Sequence, residues 1–241
     1  MEPREYERMF ALEDHHWWFR SKRALVRTLL EQYASGPGRG LDLGCGTGGT
    51  LAALGPEGRW VGLDYEPLAL AFCRKRGLAR LVRGSATALP FRAASFDCCL
   101  ALDLLYHRGV DDERRALAEC HRVLRPGGLL VVTDSALAWL RSPHDEAVHG
   151  RTRYTRAELV RLVQGAGFRV LRASHLYTLL FPLLAGFRLL RRLAPGRDAS
   201  DLFPLPAAVN AGLLAIQALE RALLRVIDLP IGTSVVCCAR R

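Results

Sequence analysis

The fold of this chain is decided by residues 41–49, Leu41-Asp42-Leu43-Gly44-Cys45-Gly46-Thr47-Gly48-Gly49. A short apolar strand ends in this stretch, and a helix begins near Thr50. Glycines between a strand and a helix let the backbone approach a ligand, and the N–H groups of the helix terminus point toward that ligand. The stretch therefore predicts a ligand-binding turn at the end of the first strand of a sheet.

Two carboxylates beside the turn indicate which ligand it binds. Asp64 follows Gly44 by about 20 residues, as a nicotinamide-binding fold requires for its ribose, and the glycine spacing also satisfies G-x-G-x-x-G. Asp42, two residues before the turn, would repel a pyrophosphate. It suits a ligand that carries an ammonium and a sulfonium. A cofactor without phosphate is therefore expected, and a nicotinamide-dependent oxidoreductase is the alternative.

Strands and helices alternate outward from this turn. Strands are predicted at 39–43, 59–64, 81–83, 96–102, 129–134, 168–177 and 233–239, and helices after Thr50, after Pro67, at 112–124 and from Thr155 to Gly165 or Gly167. The alternation in the first half is typical of a parallel sheet with helices on both faces. Thr155 and Glu158 have the spacing of a capping box, which predicts the start of the later helix.

The chain divides into three parts by composition. Residues 1–38 hold an aromatic segment and a predicted helix at 22–33. Residues 39–177 together with 232–241 form the α/β core. Between them, residues 178–231 are rich in Leu, Ala, Arg and Pro and are too long for an ordinary connection of about 4–6 residues. They predict a helical insertion that walls the substrate site, covers it or forms a dimer contact.

Several segments together resemble a known family. Residues 41–48 are similar to the first motif of the class I S-adenosylmethionine-dependent methyltransferases. Later motifs of that family are matched in order by Asp64-Tyr65, by Ala88-Leu89-Pro90-Phe91 with Ser95-Phe96-Asp97, and by Val123-Leu124-Arg125-Pro126-Gly127-Gly128. Residues 13–20, which include His16-Trp17-Trp18-Phe19, resemble the N-terminal segment of a type 11-like bacterial subset. The resemblance implies a Rossmann-like α/β fold, a seven-stranded sheet with its last strand antiparallel, an N-terminal lid helix and a C-terminal helical insertion.

The resemblance also implies S-adenosylmethionine as the cofactor and S-adenosylhomocysteine as its product. The residues implied to bind the cofactor are Trp17, Trp18, Arg20, Asp42, Gly44, Cys45, Gly46, Asp64, Tyr65, Ser85, Ala86 and Asp103. Asp64 would hold the ribose hydroxyls, and Ser85 would border the adenine where the family often has an aspartate. The aromatic segment resembles a lid over the cofactor, and a helix packed on the sheet edge is the alternative.

Methyl transfer needs a general base with some acceptors only. Methyl transfer depends on an acceptor aligned behind the methyl group, and a base is needed only where the accepting oxygen, nitrogen or carbon must lose a proton. His107 lies just past the fourth strand, at the sheet edge where ligands bind in open α/β folds. It is a candidate base, and a surface histidine that caps a turn is the alternative.

A second polar run follows the fifth strand at residues 139–154 and resembles a segment of the same bacterial subset. The candidate bases in it are His144 with Asp145, and His149. The candidate acceptor-binding residues are Tyr106, Arg151, Arg153, Tyr154 and Tyr177. A structural polar network is the alternative. Two histidines and one acid fall short of a recognisable zinc spacing, so no metal is expected.

The composition limits the partners and the compartment. The net charge is +10, but of 34 Lys and Arg residues only Lys22 and Lys75 are lysines. No motif of the known nucleic-acid modules occurs, so no nucleic-acid partner is expected. Seven cysteines occur without a C-x-x-C pair, and the first residues lack the order of a signal peptide. Together these features predict a cytoplasmic protein.

Two uncharged stretches, 173–187 and 202–219, bear on membrane contact. The first is shorter than the about 20 apolar residues of a spanning helix and the second contains prolines, so no transmembrane segment is expected. Arg188, Arg191 and Arg192 could touch anionic lipid head groups, and the apolar face also suits a homodimer contact.

The sequence as a whole predicts a biosynthetic methyltransferase. The expected acceptor is a small molecule, a secondary metabolite or a sugar, methylated on oxygen, nitrogen or carbon. A methyltransferase-like scaffold without turnover remains open, because a fold alone does not establish catalysis.

Overall fold

The computed structural model describes residues 1–34, 36, 38–55, 59–192 and 200–241 of the chain. The strands are β1 (Arg39–Leu43), β2 (Arg59–Asp64), β3 (Leu81–Arg83), β4 (Phe96–Leu102), β5 (Leu124–Ser135), β6 (Arg169–Leu176) and β7 (Ser234–Arg240). The helices are α1 (Pro3–Leu12), α2 (Trp17–Tyr33), α3 (Gly49–Leu54), α4 (Pro67–Lys75), α5 (Glu113–Val123), α6 (Pro143–Ala147), α7 (Arg156–Gly165), α8 (Phe181–Arg192) and α9 (Ala207–Leu224).

The seven strands form one sheet in the order β3-β2-β1-β4-β5-β7-β6. β1 to β5 pair in parallel, whereas β7 lies antiparallel between β5 and β6. Central parallel strands are covered on both faces and are therefore mostly apolar. The predicted Rossmann-like fold with an antiparallel last strand is confirmed.

Two apolar cores lie on opposite faces of the sheet. Cys99 and Ala101 of β4 belong to the core that contains Leu117 of α5. Their neighbours Cys98 and Leu100 point the other way, into a core with α2 and α9. This alternation follows from the two-residue period of a strand. All seven cysteines are buried and free, as the core reading of the Cys-Cys pairs predicts.

Local sequence signals start the helices where expected. Thr155 and Glu158 form the predicted capping box of α7, with Thr155 N donating to Glu158 Oε2 at 2.8 Å and Glu158 N donating to Thr155 Oγ1 at 3.2 Å. Asp112 caps α5 by accepting from Arg115 N at 2.9 Å. Such caps contribute about 1 kcal/mol each.

Two parts of the chain differ from the sequence expectation, and the insertion is helical as predicted. The N-terminal part contains α1 as well as α2, and α1 was not predicted. β5 begins at Leu124 rather than at 129, because Leu124 pairs with Phe96 ahead of a register shift. The insertion holds α8 and α9, while its residues 193–199 lie outside the described residues.

Candidate active site

The carboxyl ends of the parallel strands meet at one edge of the sheet. In the order of the sheet β1 lies beside β4, and this reversal is where ligands bind in open α/β folds. Four residues other than glycine near this edge have positive φ: Asp103 (51°), Leu137 (62°), His149 (54°) and Tyr177 (62°). Such conformations cost about 1–3 kcal/mol each and cluster at functional sites.

The glycine turn after β1 needs its glycines. Gly44, Gly46 and Gly48 have φ of 68°, 54° and 85°, which side chains disfavour. A Cβ on Gly44 would also lie 2.8 Å from Leu104 Cδ1. Gly44 N donates to Leu63 O of β2 at 2.8 Å, and this bond fixes the turn to the neighbouring strand.

Two buried carboxylates lie at the ends of β1 and β2 beside this turn. Burial, with the nearby carboxylates of Asp64 and Glu13, raises the pKa of Asp42 to about 8. Asp64 accepts from Gly46 N at 2.9 Å and from Glu66 N at 3.0 Å, while burial raises its pKa. Within the described residues neither Asp42 nor Asp64 forms an ion pair. A cationic ligand would stabilise the ionised form of both carboxyl groups, so this pair of carboxylates fits an amino acid that carries a sulfonium.

The predicted adenine side continues along the same edge. Ser85 Oγ accepts from Thr87 N at 3.2 Å, so the hydroxyl is held within its own turn. Ala86 is buried, and Gly84 N donates to Asp64 O at 3.1 Å. Tyr65 is 64% exposed, with Arg83 over its ring at 5.9 Å. The roles of Ser85, Ala86 and Tyr65 toward a cofactor stay predictions.

α1 covers the glycine turn, which the sequence did not predict. Met9 Cε would lie 2.9 Å from a Cβ on Gly46. At the end of the same helix, the buried Glu13 accepts from the Thr47 hydroxyl and from Arg76 Nη2 at 2.7 Å. Tyr6 is buried against Phe72 of α4. The N-terminal part therefore closes over the turn through α1 rather than through the aromatic segment.

The aromatic segment packs instead at the carboxyl end of β6. Trp18 stacks on Tyr177 with ring centroids 4.1 Å apart, and Trp17 meets Tyr177 edge-on at 5.9 Å. Lys22 lies over the Trp18 ring at 4.9 Å and pairs with Asp103. Trp18, Tyr177 and Asp103 thus form one cluster.

Arg20 lies apart from this cluster. Its side chain is exposed and lines a groove of about 560 Å³ with Leu205 and Leu214. Its predicted cofactor contact stays a prediction.

The structure brings His107 and His149 together. Their ring centroids are 5.9 Å apart, and the Met1 amino nitrogen lies 3.2 Å from His107 Nε2 and 3.0 Å from His149 Nδ1. Gly109 N donates to His107 Nδ1 at 3.1 Å. Burial, with the nearby amino group and His149, lowers the pKa of His107 to about 4. His107 is therefore neutral at pH 7 and can accept a proton or a hydrogen bond.

The remaining residues of the second polar run form ion pairs and hydrogen bonds within the protein. Burial opposes ionisation of Asp145, but Arg153, with its Nε at 2.8 Å and Nη2 at 3.0 Å, gives that carboxyl a lowered pKa. Tyr154 OH donates to Leu105 O at 3.2 Å, and His144 Nδ1 accepts from Asp201 N at 3.1 Å. These contacts match the structural network weighed from the sequence. The predicted roles of His144, Asp145, Arg153 and Tyr154 toward an acceptor stay untested predictions.

Two further candidate residues face the site edge on the acceptor side. Arg151 is partly exposed and pairs with Glu113 at 2.6 Å. The backbone oxygen of Tyr106 accepts from Arg151 N at 2.7 Å. Burial raises the pKa of the Tyr106 phenol, so it stays protonated and can donate a hydrogen bond.

Sequence reasoning missed Asp134 at the end of β5. This fully buried carboxyl accepts from Leu105 N at 3.1 Å and Tyr106 N at 3.3 Å. Burial and the nearby Asp103 raise its pKa. Asp134 fixes the loop that carries His107, and a carboxylate directly after a buried apolar strand was the available signal. Within the part of the chain that the structure describes, no group of three or more His, Cys, Asp or Glu side chains could hold a metal ion.

Comparison with known proteins agrees with this geometry. Residues 41–132 match the family described as a methyltransferase domain. A Mycolicibacterium smegmatis protein named "Probable S-adenosylmethionine-dependent methyltransferase" is 32% identical over 66% of this chain and 62% of its own length. A demethylmenaquinone methyltransferase of Thermus thermophilus is 39% identical over 48% of this chain and 54% of its own length. The chain thus spans little more than half the length of these relatives.

Solved structures share the fold over nearly the whole chain. A SAM-dependent methyltransferase from Thermotoga maritima has a TM-score of 0.61 at 24% identity, covering 98% of this chain and 95% of that one. One from Mesorhizobium loti has a TM-score of 0.61 at 18% identity, covering 95% and 100%. At these identities the likeness establishes the fold.

Proposed function

Since this chain belongs to the class I S-adenosylmethionine-dependent methyltransferases, we propose that it transfers a methyl group from that cofactor to a small-molecule acceptor. The observation that carries the proposal is the pair of buried carboxylates, Asp42 and Asp64, beside a turn whose glycines leave room for a ligand. Both lie at the carboxyl ends of neighbouring strands, and within the described residues neither has a cationic partner.

The residues around the turn would hold the cofactor as follows. When bound, S-adenosylmethionine supplies a methyl group that its sulfonium already activates. Asp64 would accept hydrogen bonds from the ribose hydroxyls, as the family resemblance implies. Asp42 would stabilise the positive charge of the amino acid part, since opposite charges attract strongly at a site of low dielectric. α1 would exclude water from the turn, because the apolar side chain of Met9 lies over Gly46.

The acceptor would lie on the side of His107 and His149. A neutral His107 with a lowered pKa is a weak base, so it would orient an acceptor O–H or N–H and take its proton as the arriving methyl group places positive charge on the acceptor. Asp134 would keep His107 in place through the backbone of residues 105–106. Tyr106 and Arg151 would contribute hydrogen-bond donors to the acceptor.

The name of the Thermus thermophilus relative, demethylmenaquinone methyltransferase, supports a small-molecule acceptor. The stacked Trp18 and Tyr177 rings at the same edge support an acceptor with an apolar or ring-shaped part. A secondary metabolite or a sugar bearing such a part satisfies both observations.

Calorimetric titration with S-adenosylhomocysteine and, separately, NADH tests the cofactor assignment. We expect binding of the first alone, about tenfold or more weaker in Asp64→Ala, because a charge-assisted hydrogen bond contributes about 1.5–3 kcal/mol. Asp111→Ala, at an exposed position, is the matched control and should bind as the unaltered chain does. Binding of NADH alone would mean a nicotinamide-dependent enzyme.

Turnover separates an enzyme from a scaffold. A panel of hydroxylated and aminated ring compounds would be incubated with methyl-labelled S-adenosylmethionine, and labelled product counted. His107→Gln should slow turnover while leaving S-adenosylhomocysteine affinity unchanged. If no acceptor is methylated although the cofactor binds, the scaffold alternative gains support.

A further inference from the structure

The helix α9 shows its apolar face to the outside and its polar side chains to the protein. From residue 207 to 219 its outward face carries only Ala, Gly, Val, Ile and Leu, with Val209 48%, Ile216 37% and Leu219 58% exposed. Asn210 and Gln217, the polar residues of this stretch, and Glu220 of the next turn face the protein. A surface helix normally shows its polar face to solvent.

The inward polar residues fix the rotation of α9. Asn210 Oδ1 accepts from Trp17 N at 2.6 Å, and Asn210 Nδ2 donates to His15 O at 2.8 Å. Glu220 is buried and accepts from Tyr177 N and from Leu179 N at 2.9 Å. Turning the helix would leave these buried groups without partners, at a cost of about 1–3 kcal/mol for each. The apolar face therefore stays outward.

The apolar surface continues past the helix. Val226 is 79% exposed, and Ile227 and Ile231 are also exposed. In the part of the chain that the structure describes, α9 is the one helix long and apolar enough to cross a membrane, with a mean hydropathy of 1.3 and only 17% of it buried. Its hydrogen bonds to Trp17 and Tyr177 hold it along the protein body, which suits a helix that lies on a membrane rather than through it.

We propose that the outward face of α9, with residues 225–231, docks on the surface of an anionic lipid bilayer. The charge of the chain favours this occupant, because the net charge is +10 and anionic leaflets attract basic surfaces. Arg225 at the border of the face is 60% exposed and lies 3.8 Å from Glu31, an exposed pair that contributes little. Asp228 is neutralised by Arg172 at 2.8 Å. A second copy would instead bring two bodies of charge +10 together.

Vesicle flotation tests the docking surface without reference to methyl transfer. The full chain would be mixed with vesicles of equal parts phosphatidylglycerol and phosphatidylcholine, and with vesicles of phosphatidylcholine alone, at about 0.1 M salt. The chain should float with the anionic vesicles and much less with the neutral ones. The double variant Ile216→Glu with Leu219→Glu should lower the partition coefficient for the anionic vesicles about tenfold or more, because carboxylates on this face oppose its insertion into the bilayer.

A control variant separates the effect of the α9 face from the effect of the net charge. Ala118→Glu with Ala157→Glu, at exposed positions of α5 and α7, changes the net charge equally and should float nearly as the unaltered chain does. Leu219→Ser, a neutral change, should weaken flotation less than the double variant, with the fold of each variant checked by circular dichroism. No flotation of the unaltered chain, or equal flotation of the two double variants, would overturn the proposal. A dimer that dissociates only in Ile216→Glu with Leu219→Glu, without flotation, would make the face a contact between copies.

Discussion

At the scale of single residues, Asp42 couples cofactor binding to a proton. Its pKa of about 8 means that it is mostly protonated at pH 7, because burial and the Asp64 and Glu13 carboxylates disfavour its charge. A bound cation lowers that pKa, so binding should release up to about one proton. Calorimetric titration with S-adenosylhomocysteine in two buffers of different protonation enthalpy would report the number of protons released.

Two variants check this assignment. Asp42→Asn should remove the buffer dependence of the heat, while the exposed Asp111→Asn should keep it. Near pH 9 the release should disappear in the unaltered chain, because Asp42 is then ionised before binding. A buffer-independent heat at pH 7 would show that Asp42 keeps its proton state on binding.

His107 should make the folded state sensitive to acid. Its folded pKa of about 4 lies below the ordinary value of about 6.5, so the unfolded chain binds more protons between these values. Stability therefore falls as pH drops from about 6.5 to about 4. His107→Gln should lose less Tm between about pH 7 and about pH 4.5 than the unaltered chain loses.

Thermal melts followed by circular dichroism would measure this difference. Burial also lowers the pKa of His16, His144 and His175, so the variant should retain part of its acid sensitivity. The exposed His15→Gln is the control and should match the unaltered chain. An equal loss of Tm in His107→Gln would mean that its burial is relieved in solution.

Sequence reasoning located residues that follow local spacing and missed contacts across the chain. Asp42 and the glycines of the turn could be located because a strand, a turn and a helix adjoin in residues 39–54, and Asp64 because it ends the next strand. Their contacts with a cofactor stay predictions. The contacts of Glu13 with Thr47, and of Lys22 with Asp103, join residues far apart along the chain. The periodicity of the sequence does not reveal contacts between residues so far apart.

At the scale of elements, the segment around α6 depends on one buried ion pair. Arg153 and Asp145 are nearly inaccessible, and Arg153 Nη1 also donates to Ala136 O at 2.8 Å. Arg153→Ala would leave the Asp145 carboxylate buried without its main partner, at a cost of about 3–5 kcal/mol. Chemical denaturation would measure the lost free energy of unfolding.

Arg151 is the matched comparison for Arg153. Its side chain is 40% exposed in a surface pair with Glu113, and such pairs contribute about 1 kcal/mol or less. Arg151→Ala should therefore keep its stability and, if Arg151 holds the acceptor, raise KM. A stable Arg153→Ala with a raised KM would instead assign acceptor binding to Arg153.

The elements themselves were largely predictable, because each strand of the core is bounded by turn residues and the capping box marks α7. α1 was missed since it has only one buried aromatic, Tyr6, and packs on α4 rather than on the sheet. The rotation of α9 was also beyond the sequence, because its polar residues Asn210 and Glu220 bond to Trp17 and Tyr177, which lie 193 and 43 residues away in the chain.

At the scale of the whole molecule, α1 should open and close over the glycine turn. Met9 lies over Gly46, and Tyr6 packs α1 against α4. We therefore expect cofactor exchange to require that α1 moves away from the turn. S-adenosylhomocysteine should therefore slow amide hydrogen exchange in α1, because the bound ligand adds contacts beneath it. Exchange in α7, on the far part of the sheet, is the internal reference.

Substitution at Tyr6 tests the same closure. Tyr6→Ala should speed exchange in α1 and weaken S-adenosylhomocysteine binding about tenfold, whereas Tyr6→Phe should keep most of the affinity, since its contacts with α4 are apolar. Unchanged exchange in α1 on ligand binding would show that α1 is a fixed part of the wall.

The place of β7 in the sheet sets the order in which the molecule is assembled. β6 pairs with β7 alone, so β6 joins the sheet only after the chain has passed through α8 and α9 and returned as β7. Closing so long a loop is slow. Until it closes, the edge of β5 stays unpaired, and an unpaired strand edge promotes association between unfinished chains. We therefore expect the yield of native protein to be decided late, by competition between this closure and aggregation.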